Sequence, residues 1–510
     1  MPELKLQKDP IWITETLLDT AAEQPVELDY SLPDYYPSIF RLLGTRIRPV
    51  IQQTRIAGNR ITLDGLCRIT VLYQGEDGGG IQAVEQTLPF SRSLELRGES
   101  EEEPAVCCQC RCYHASGRAV SPRRLDVRGG VSIRVKVTAQ KELPVVTAAS
   151  GGGVQIHTAP VTLCGRQRFA AKPVTVTEEL ELPTAKPPFK ALLDSRSAVR
   201  MEDCRIIANK VICRGELLCH LLYQPEEGEP ESMDYALPIS QILDLPGVDG
   251  DDEADVRCTA ADLTIEAIPG QEGCRRLGAE WTLWLSCTAR QNQQMPLADD
   301  AFSTRCAGGP ERTPVAAARL TGRLDLQHTL KGQLTAEPIG RVMDLLCQPG
   351  EMTTRTEGGQ LILSGSVEVT ALCLDPEGNP FAADRTLPFS VPVEVEGEGE
   401  LLELPHLQLL ETGYTITGDT TLEIRIQMQF SGSLCQRLNL EPVTGIQLDE
   451  SQPLPPSPCA IRLYFTEPGE SLWEIARRFG TSMQAVMTEN QLETEQLPGR
   501  QMLLIPQVED

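Results

Sequence analysis

The sequence predicts a mainly β protein. It indicates three tandem antiparallel repeats of about 150 residues, sandwich-like or barrel-like, followed by a small β-α-α-β module at the C-terminus. Three observations carry this prediction. Similar segments recur at one spacing through most of the 510 residues, apolar and polar side chains alternate within them, and helical periodicity appears only near the end.

The repeat is visible at landmarks that recur in one order. The first landmark reads GLCRITVLYQ, GELLCHLLYQ and GSVEVTALCL, and its copies begin at Gly65, Gly215 and Gly365. A second landmark follows each time and reads TLPFSRSLELRG, ALPISQILDLPG or TLPFSVPVEVEG. A unit of this length is far too long for a solenoid repeat, so the spacing indicates triplication of a whole domain.

The domain bounds follow from this spacing and from composition. The predicted domains are β repeats at 1–150, 151–305 and 306–450, a Pro-rich linker at 451–459 and the last module at 460–507. Within the repeats, the run from Val131 to Val137 places apolar residues at every second position, as in a half-buried strand. Turns rich in Gly, Asp and Pro separate such runs. This pattern does not distinguish a sandwich from a barrel.

Composition excludes several classes of function. With 72 acidic and 46 basic side chains, the net charge is −26, and such a surface repels nucleic acid and anionic lipid. The first 20 residues lack the basic and apolar regions of a signal peptide, and no apolar stretch is long enough to cross a bilayer. The 17 cysteines follow no disulfide-framework spacing. We therefore expect a cytoplasmic protein with free thiols.

The sequence offers little support for catalysis or for a metal. Cys108, Cys110 and Cys112 alternate with other residues, and on a strand such side chains stand roughly 7 Å apart, too far to converge on one ion. Buried or unreactive thiols are therefore favoured over a metal site. His220 stands where the other repeats have Thr70 and Thr370, so it is predicted to face solvent. H-E-x-x-H, P-loop and G-x-S-x-G motifs are absent. We expect no catalytic residue, metal or cofactor.

The C-terminal module has a clear local pattern. The run IRLYF places Ile461, Leu463 and Phe465 on one face of a strand. Ser471 and Glu474 fit a capping box at the start of a first helix. Gly480 fits its end, and a second helix should run from about Ser482 to about Asn490. The ring of Trp473 is expected to pack against the sheet, and a closing strand should follow.

This module resembles the LysM family. The matching positions are Pro468, Gly469, Glu470, Ser471, Leu472, Trp473, Ile475, Ala476, Asn490, Pro498, Gly499, Ile505 and Pro506. The resemblance implies a shallow groove for N-acetylated glycan such as peptidoglycan, or for a surface protein. The groove residues it implies are Gly469, Glu470, Ser471, Leu472, Asn490, Leu492, Leu497 and Pro498.

The three β repeats resemble SPOCS domains of spore-coat proteins. The resemblance rests on the glycine of the first landmark with its Leu-Tyr pair, and on L-P-F/I-S; Cys373 replaces the tyrosine in the third copy. Tandem SPOCS domains followed by LysM are the arrangement of SipL-like coat morphogenesis proteins of clostridia. This resemblance implies a non-catalytic scaffold in the mother cell, at the forespore surface, whose partner is the ATPase of the coat basement layer or another coat protein. A peptidoglycan-binding protein and a LysM-targeted hydrolase are the other functions considered.

Overall fold

A computed structural model of the chain describes residues 4–76, 80–98, 103–270, 273–395, 405–455, 459–497 and 499–507. Its architecture is mainly β, with two short helices between the strands of the C-terminal module, which confirms the predicted fold class. In the described residues, 23 strands before residue 454 form three similar β units, and in each unit two antiparallel sheets enclose one core.

The described part of the first unit contains six strands. They are β1 (Lys5–Ser31), β2 (Ile39–Ala57), β3 (Arg60–Gly75), β4 (Ile81–Glu95), β5 (Ala105–Ser121) and β6 (Arg124–Ser150). One antiparallel sheet has the order β1-β6-β5 and the other has the order β2-β3-β4. Alternate residues of β6, from Val131 to Val137, are buried in the core between the two sheets. The unit is therefore a sandwich, because each sheet contributes one apolar face.

The second unit repeats this arrangement with its first and last strands divided. Its strands are β7 (Val154–Cys164), β8 (Arg168–Glu181), β9 (Phe189–Ile207), β10 (Lys210–Pro225), β11 (Glu231–Asp244), β12 (Glu253–Ile268), β13 (Arg276–Arg290) and β14 (Asn292–Ser303). The sheets β12-β13-β8 and β11-β10-β9 enclose the core, and β7 pairs with β14 as a separate ribbon.

The third unit follows the same plan. Its strands are β15 (Cys306–Arg312), β16 (Val315–Thr335), β17 (Arg341–Pro349), β18 (Thr353–Glu357), β19 (Gln360–Leu374), β20 (Pro380–Glu394), β21 (His406–Thr417), β22 (Thr421–Leu440) and β23 (Val443–Pro453). The sheet β16-β22-β21 packs on a second sheet in which β19 pairs with β17, β18 and β20. The ribbon is formed by β15 and β23, which continues to Pro453 and pairs it with Cys306.

The repeated tyrosine has a structural role in the first two units. Tyr73 and Tyr223 are fully buried, and a buried hydroxyl needs a hydrogen-bond partner. Each hydroxyl donates over 3.0 Å to a backbone carbonyl, that of Pro37 or of Pro187. Cys373 fills the equivalent position of the third unit as a small apolar residue without this bond.

The three units meet around a common centre. One apolar cluster contains Leu43, Leu193, Met343, Leu72, Leu222 and Leu372, which are two sets of residues separated by the repeat spacing. Equivalent residues can contact one another only near a shared axis, so the units are arranged with approximate threefold symmetry. The units meet in further shared clusters, to which Val145 of β6, Leu297 of β14 and Ala317 of β16 contribute.

Buried ion pairs join neighbouring units at equivalent positions. Arg46 of the first unit binds Asp194 of the second, and Arg196 of the second binds Asp344 of the third. Both carboxylates are almost fully buried, with exposed side-chain fractions of 1% and 4%. Burial of a carboxylate is costly without a partner, so these pairs fix how the units are placed relative to one another.

The C-terminal module has the predicted β-α-α-β order. It consists of β24 (Ile461–Phe465), α1 (Leu472–Phe479), α2 (Met483–Glu489) and β25 (Met502–Pro506), and the two strands form an antiparallel pair. Its small core is built on Leu472, Ile475, Val486, Leu503 and Ile505. Neither helix in the described part of the chain is long and apolar enough to span a membrane.

Candidate functional site

The first helix of the C-terminal module begins as the sequence predicts. The Ser471 hydroxyl accepts a hydrogen bond from the Glu474 amide over 3.2 Å, and the Glu474 carboxylate accepts one from the Ser471 amide. This reciprocal capping box satisfies two amides of the first turn. Gly480 ends the helix in the left-handed conformation, with a φ of 62°. Ser471 is thus occupied with capping.

The predicted groove residue Asn490 is engaged inside the module. Its amide nitrogen donates to the carbonyls of Val486 and Leu504, over 2.8 and 2.6 Å, and its oxygen accepts from the Leu504 amide over 2.7 Å. The side chain therefore ties the end of α2 to β25. Three of its four hydrogen-bonding positions serve the fold.

Glu470 is held in the same way at the other side of the predicted groove. Its carboxylate accepts hydrogen bonds from the Glu467 amide over 3.0 Å and from the Tyr464 hydroxyl over 2.8 Å, and it pairs with Arg478 over 2.9 Å. The bonds from Glu467 and Tyr464 lower the pKa of the Glu470 carboxyl. Glu470 is therefore ionised and organised by its own module.

The remaining predicted groove residues differ in exposure. Leu472 is fully buried in the module core, and Leu492 and Leu497 pack partly buried against it. Gly469 adopts a φ of 93° with open space where a side chain would lie, as a turn before a helix permits for glycine. Pro498 lies outside the described residues. The seven described residues therefore surround the turn before α1 and the loop after α2, while most of their polar atoms bind within the module.

An exposed apolar face lies on the sheet of this module. Ile461, Leu463 and Phe465 alternate along β24 and expose 47%, 64% and 71% of their surface, and Met502, paired with Phe465, exposes 53%. The other face of β24 carries Tyr464, whose ring packs on the first helix. The one-face pattern predicted for IRLYF is thus present, and that face points away from the module core.

Trp473 does not pack on the sheet of its own module, so that prediction was wrong. Its ring contacts the second β unit instead, with its centroid 4.9 Å from that of Phe302 and 5.3 Å from that of His157. Ala476, one turn along α1, is fully buried in the same contact. Leu472 and Ile475 of α1 fill the module's own core, whereas Trp473 and Ala476 of the same helix pack with Phe302 of β14.

Asp300 is the polar centre of this contact. One of its carboxylate oxygens accepts from the Trp473 indole over 2.8 Å and from Arg477 over 2.6 Å, and the other accepts from Arg312 over 2.9 Å. The register of β14 against β7 shifts between Ala298 and Asp300, which marks a β-bulge. A bulge changes the direction of side chains along a strand, and here it brings Asp300 towards the module.

A second contact supports the same docking. The His157 ring on β7 binds Asp299 over 2.6 Å and lies 3.8 Å from Glu495, in the loop after α2. The C-terminal module therefore touches the second unit through both its first helix and the loop that borders the predicted groove. No local sequence signal indicated this contact, because His157 and Asp300 are far from the module along the chain.

The polar network around His220 also escaped the sequence prediction. His220 is not solvent-facing: its side chain is 21% exposed and lies between Asp234, at 2.6 Å, and Asp344 of the third unit, at 3.1 Å. Burial alone would lower the pKa of His220, but hydrogen bonds to the two carboxylates outweigh it and raise the pKa to about 9. The repeat comparison misled because the equivalent Thr70 is itself buried, at 3% exposed, so a polar residue at this strand position need not face solvent.

The clustered cysteines lie on β5 with their side chains against the first core. Cys108, Cys110 and Cys112 are partly buried there, and Cys107 is exposed. Burial raises the pKa of the Cys108 thiol to about 12, so this thiol is protonated. Within the residues that the structure describes, no group of three or more His, Cys, Asp or Glu side chains could hold a metal ion.

Comparison with known protein families identifies two kinds of domain. A family model described as "SipL, SPOCS domain" matches residues 38–116 and 189–268, in the first and second β units. A second, described as "LysM domain", matches residues 466–506. Comparisons with curated proteins and with solved structures yield no match. The chain therefore contains two SPOCS segments and a LysM domain, which confirms the LysM resemblance and the SPOCS resemblance of the first two units, and these are non-catalytic binding domains.

Proposed function

Since the chain carries SPOCS segments and a LysM domain, we propose that it is a non-catalytic scaffold for assembly of the spore coat. It acts in the mother cell at the surface of the forespore. Its partner is the ATPase of the coat basement layer or another coat protein. The LysM domain and the β units supply the binding surfaces.

The observation that supports this proposal most is the exposed apolar face of β24 and β25. Four large side chains, Ile461, Leu463, Phe465 and Met502, are exposed together on a domain with a very small core. They expose roughly 400 Å² of apolar surface, a patch of the size that marks interaction sites on soluble proteins. A protein partner gains most of its binding energy from such a patch, whereas a glycan chain needs exposed polar groups.

The polar atoms of the predicted groove favour the same partner class. Asn490, Glu470 and Ser471 already bind within the LysM domain. The docking of α1 on the second unit fixes the direction in which the β24 face points. A partner therefore meets the LysM face and the β units in one orientation, without the entropy cost of ordering a free domain.

Changing the exposed face tests the scaffold function. Leu463→Asp places a charge in the patch while replacing a side chain that is 64% exposed, so the domain should stay folded. We expect the fluorescently tagged full-length variant to lose localisation at the forespore surface and to lose co-purification with the basement-layer ATPase. Val120→Asp, a similar change at a 53% exposed residue of the first unit, is the matched control. Normal localisation and co-purification of Leu463→Asp would contradict the proposal.

Peptidoglycan binding is the alternative function. The match of residues 466–506 to the LysM domain favours it, because the groove of that family binds N-acetylated glycan. Sedimentation of the full-length chain with purified peptidoglycan measures this activity directly. Equal retention of the wild type and of Leu463→Asp would support the glycan function, and no retention of either would exclude it.

A further inference from the structure

Two cysteines of the second unit face each other across neighbouring strands. Cys204 on β9 is the direct cross-strand partner of Cys213 on β10. The equivalent pairs are Thr54 with Leu63 in the first unit and Thr354 with Leu363 in the third. Both positions thus carry cysteine in one unit and neither does in the other two, which distinguishes this pair from thiols that merely fill a core.

The strand geometry places the two sulfur atoms side by side. Cross-strand partners point to the same face of a sheet, and both cysteines pack on the core of the second unit. Directly opposed residues of an antiparallel pair have Cα atoms about 4.5 to 5.5 Å apart, which lies within the range that a disulfide spans. A two-residue turn at Ala208 and Asn209, both with positive φ, fixes this register.

The two thiols differ in access and acidity. Cys213 is 1% exposed, whereas Cys204 is partly exposed on the edge strand of its sheet. A hydrogen bond from the Cys213 thiol lowers the pKa of Cys204, as does the nearby Arg323, while burial, Asp203 and Asp255 oppose this shift. The same hydrogen bond and burial raise the pKa of Cys213. Cys204 is therefore the nucleophile and Cys213 the group that resolves its adduct.

We propose that Cys204 and Cys213 are a dithiol modification site that small-molecule disulfides oxidise. The Cys204 thiolate attacks one sulfur of the disulfide, forms a mixed disulfide and releases one small thiolate, which takes up a proton. Cys213 then loses its proton and attacks the Cys204 sulfur, forming the Cys204–Cys213 disulfide and releasing the second small thiol. Two protein thiols are oxidised and one small disulfide is reduced to two thiols. This site is independent of the proposed scaffold function.

Peptide mapping tests the proposal on the full-length chain. The folded protein is treated with oxidised glutathione, its remaining thiols are blocked with N-ethylmaleimide, and it is then unfolded and digested with trypsin without reduction. Cleavage after Arg200, Arg205, Lys210 and Arg214 gives the peptides 201–205 and 211–214, each with one cysteine. We expect these two peptides joined by a disulfide, and their separation on reduction.

Single variants assign the two roles. Cys213→Ser should accumulate glutathione on peptide 201–205, because the adduct cannot be resolved, and Cys204→Ser should leave peptide 211–214 unmodified. Cys274→Ser, at another partly exposed cysteine of this unit, should form the 201–205 to 211–214 linkage at the wild-type rate. Circular dichroism confirms that each variant is folded.

The opposite results would overturn the proposal. Blocked but unlinked peptides 201–205 and 211–214 in the treated wild type would show that the pair is not oxidised. Glutathione on Cys107 and Cys459, the two exposed cysteines, but not on Cys204 of Cys213→Ser would show that exposure alone controls the reaction.

Discussion

Two contacts between β units use equivalent positions and different chemistry. Between the second and third units, Arg196 binds Asp344 over 2.6 Å in a nearly dry site. The repeat places Leu346 and Gly44 at the corresponding positions between the third and first units. Leu346 belongs there to the central apolar cluster. The same backbone arrangement is thus held by ion pairs at the first two contacts and by apolar packing at the third.

This difference shows that position in the repeat does not determine the interaction. A buried ion pair is stable only when both partners are present, because one desolvated charge alone is costly. Apolar packing at the same place is stable without a charged partner, because the burial of apolar surface is itself favourable. In this chain both members of the pair are absent together from the third contact, so no buried charge is left without a partner there.

Removal of Asp344 should have the largest effect on stability. Asp344→Ala leaves Arg196 and His220 without their buried carboxylate, which should lower the free energy of unfolding by about 3–5 kcal/mol. Urea unfolding of the full-length chain measures this loss of unfolding free energy. Glu351→Ala removes an ion pair between the first and third units whose carboxylate is 68% exposed, and should cost less than about 1 kcal/mol. An equal loss of unfolding free energy in Asp344→Ala and Glu351→Ala would contradict the conclusion that the buried ion pair matters more than the exposed one.

The same network predicts a dependence on pH. The pKa of His220 rises from 6.5 to about 9 on folding, so its contribution is fully present below 6.5 and is lost as the pH rises through about 9. For Asp344, burial is outweighed by Arg196 and His220, and its pKa falls from 3.8 to about 2, so that contribution is lost only at strongly acidic pH. Stability should fall by up to about 3 kcal/mol between pH of about 6 and about 10.

Replacement of the histidine isolates its share of this pH dependence. His220→Gln should be less stable than the wild type at pH of about 6 and should lose less stability as the pH rises. Urea unfolding at several pH values gives the slope of the unfolding free energy against pH for the wild type and for His220→Gln. If His220→Gln retained the wild-type slope, groups other than His220 would be responsible for the pH dependence of stability.

The LysM contact extends the comparison to a partly exposed charge. Asp300→Ala removes the acceptor of Trp473, Arg477 and Arg312 and should weaken docking by about 2 kcal/mol. NMR relaxation of the LysM amides should then show faster tumbling than that of the β units. Glu489→Ala, at the exposed end of α2, should leave the tumbling unchanged. If the LysM domain of Asp300→Ala still tumbles as slowly as the β units, the packing of Trp473 on Phe302 is sufficient to hold the domain.

Transfer of the charged pair to the third contact should have the smallest net effect. Leu346→Arg alone places an unpaired charge in the central apolar cluster and should be destabilising. A side chain added at Gly44 meets no atom within 4 Å, so Gly44→Asp provides a partner with room to fit. In a double-mutant cycle, urea unfolding should give a favourable coupling of about 1 kcal/mol. Additive effects would show that the third contact differs in backbone geometry as well.

Local patterns were enough to predict each strand-rich unit and the ends of the LysM helices. Alternation from Val131 to Val137, the Ser471 capping box and the glycine at 480 depend on neighbours within a few residues. The repeat spacing predicted triplication for the same reason, since it needs no knowledge of contacts. The choice between sandwich and barrel required the pairing of strands far apart in the chain.

The sequence by itself determined the β repeats and the LysM domain. Only the tertiary structure decided that Asn490 is engaged by β25, that Trp473 packs on Phe302, and that His220 faces Asp344. Each of these depends on a partner from another element or another unit. Side-chain patterns record which face of a strand or helix is apolar, but only the packing of distant segments determines what that face contacts.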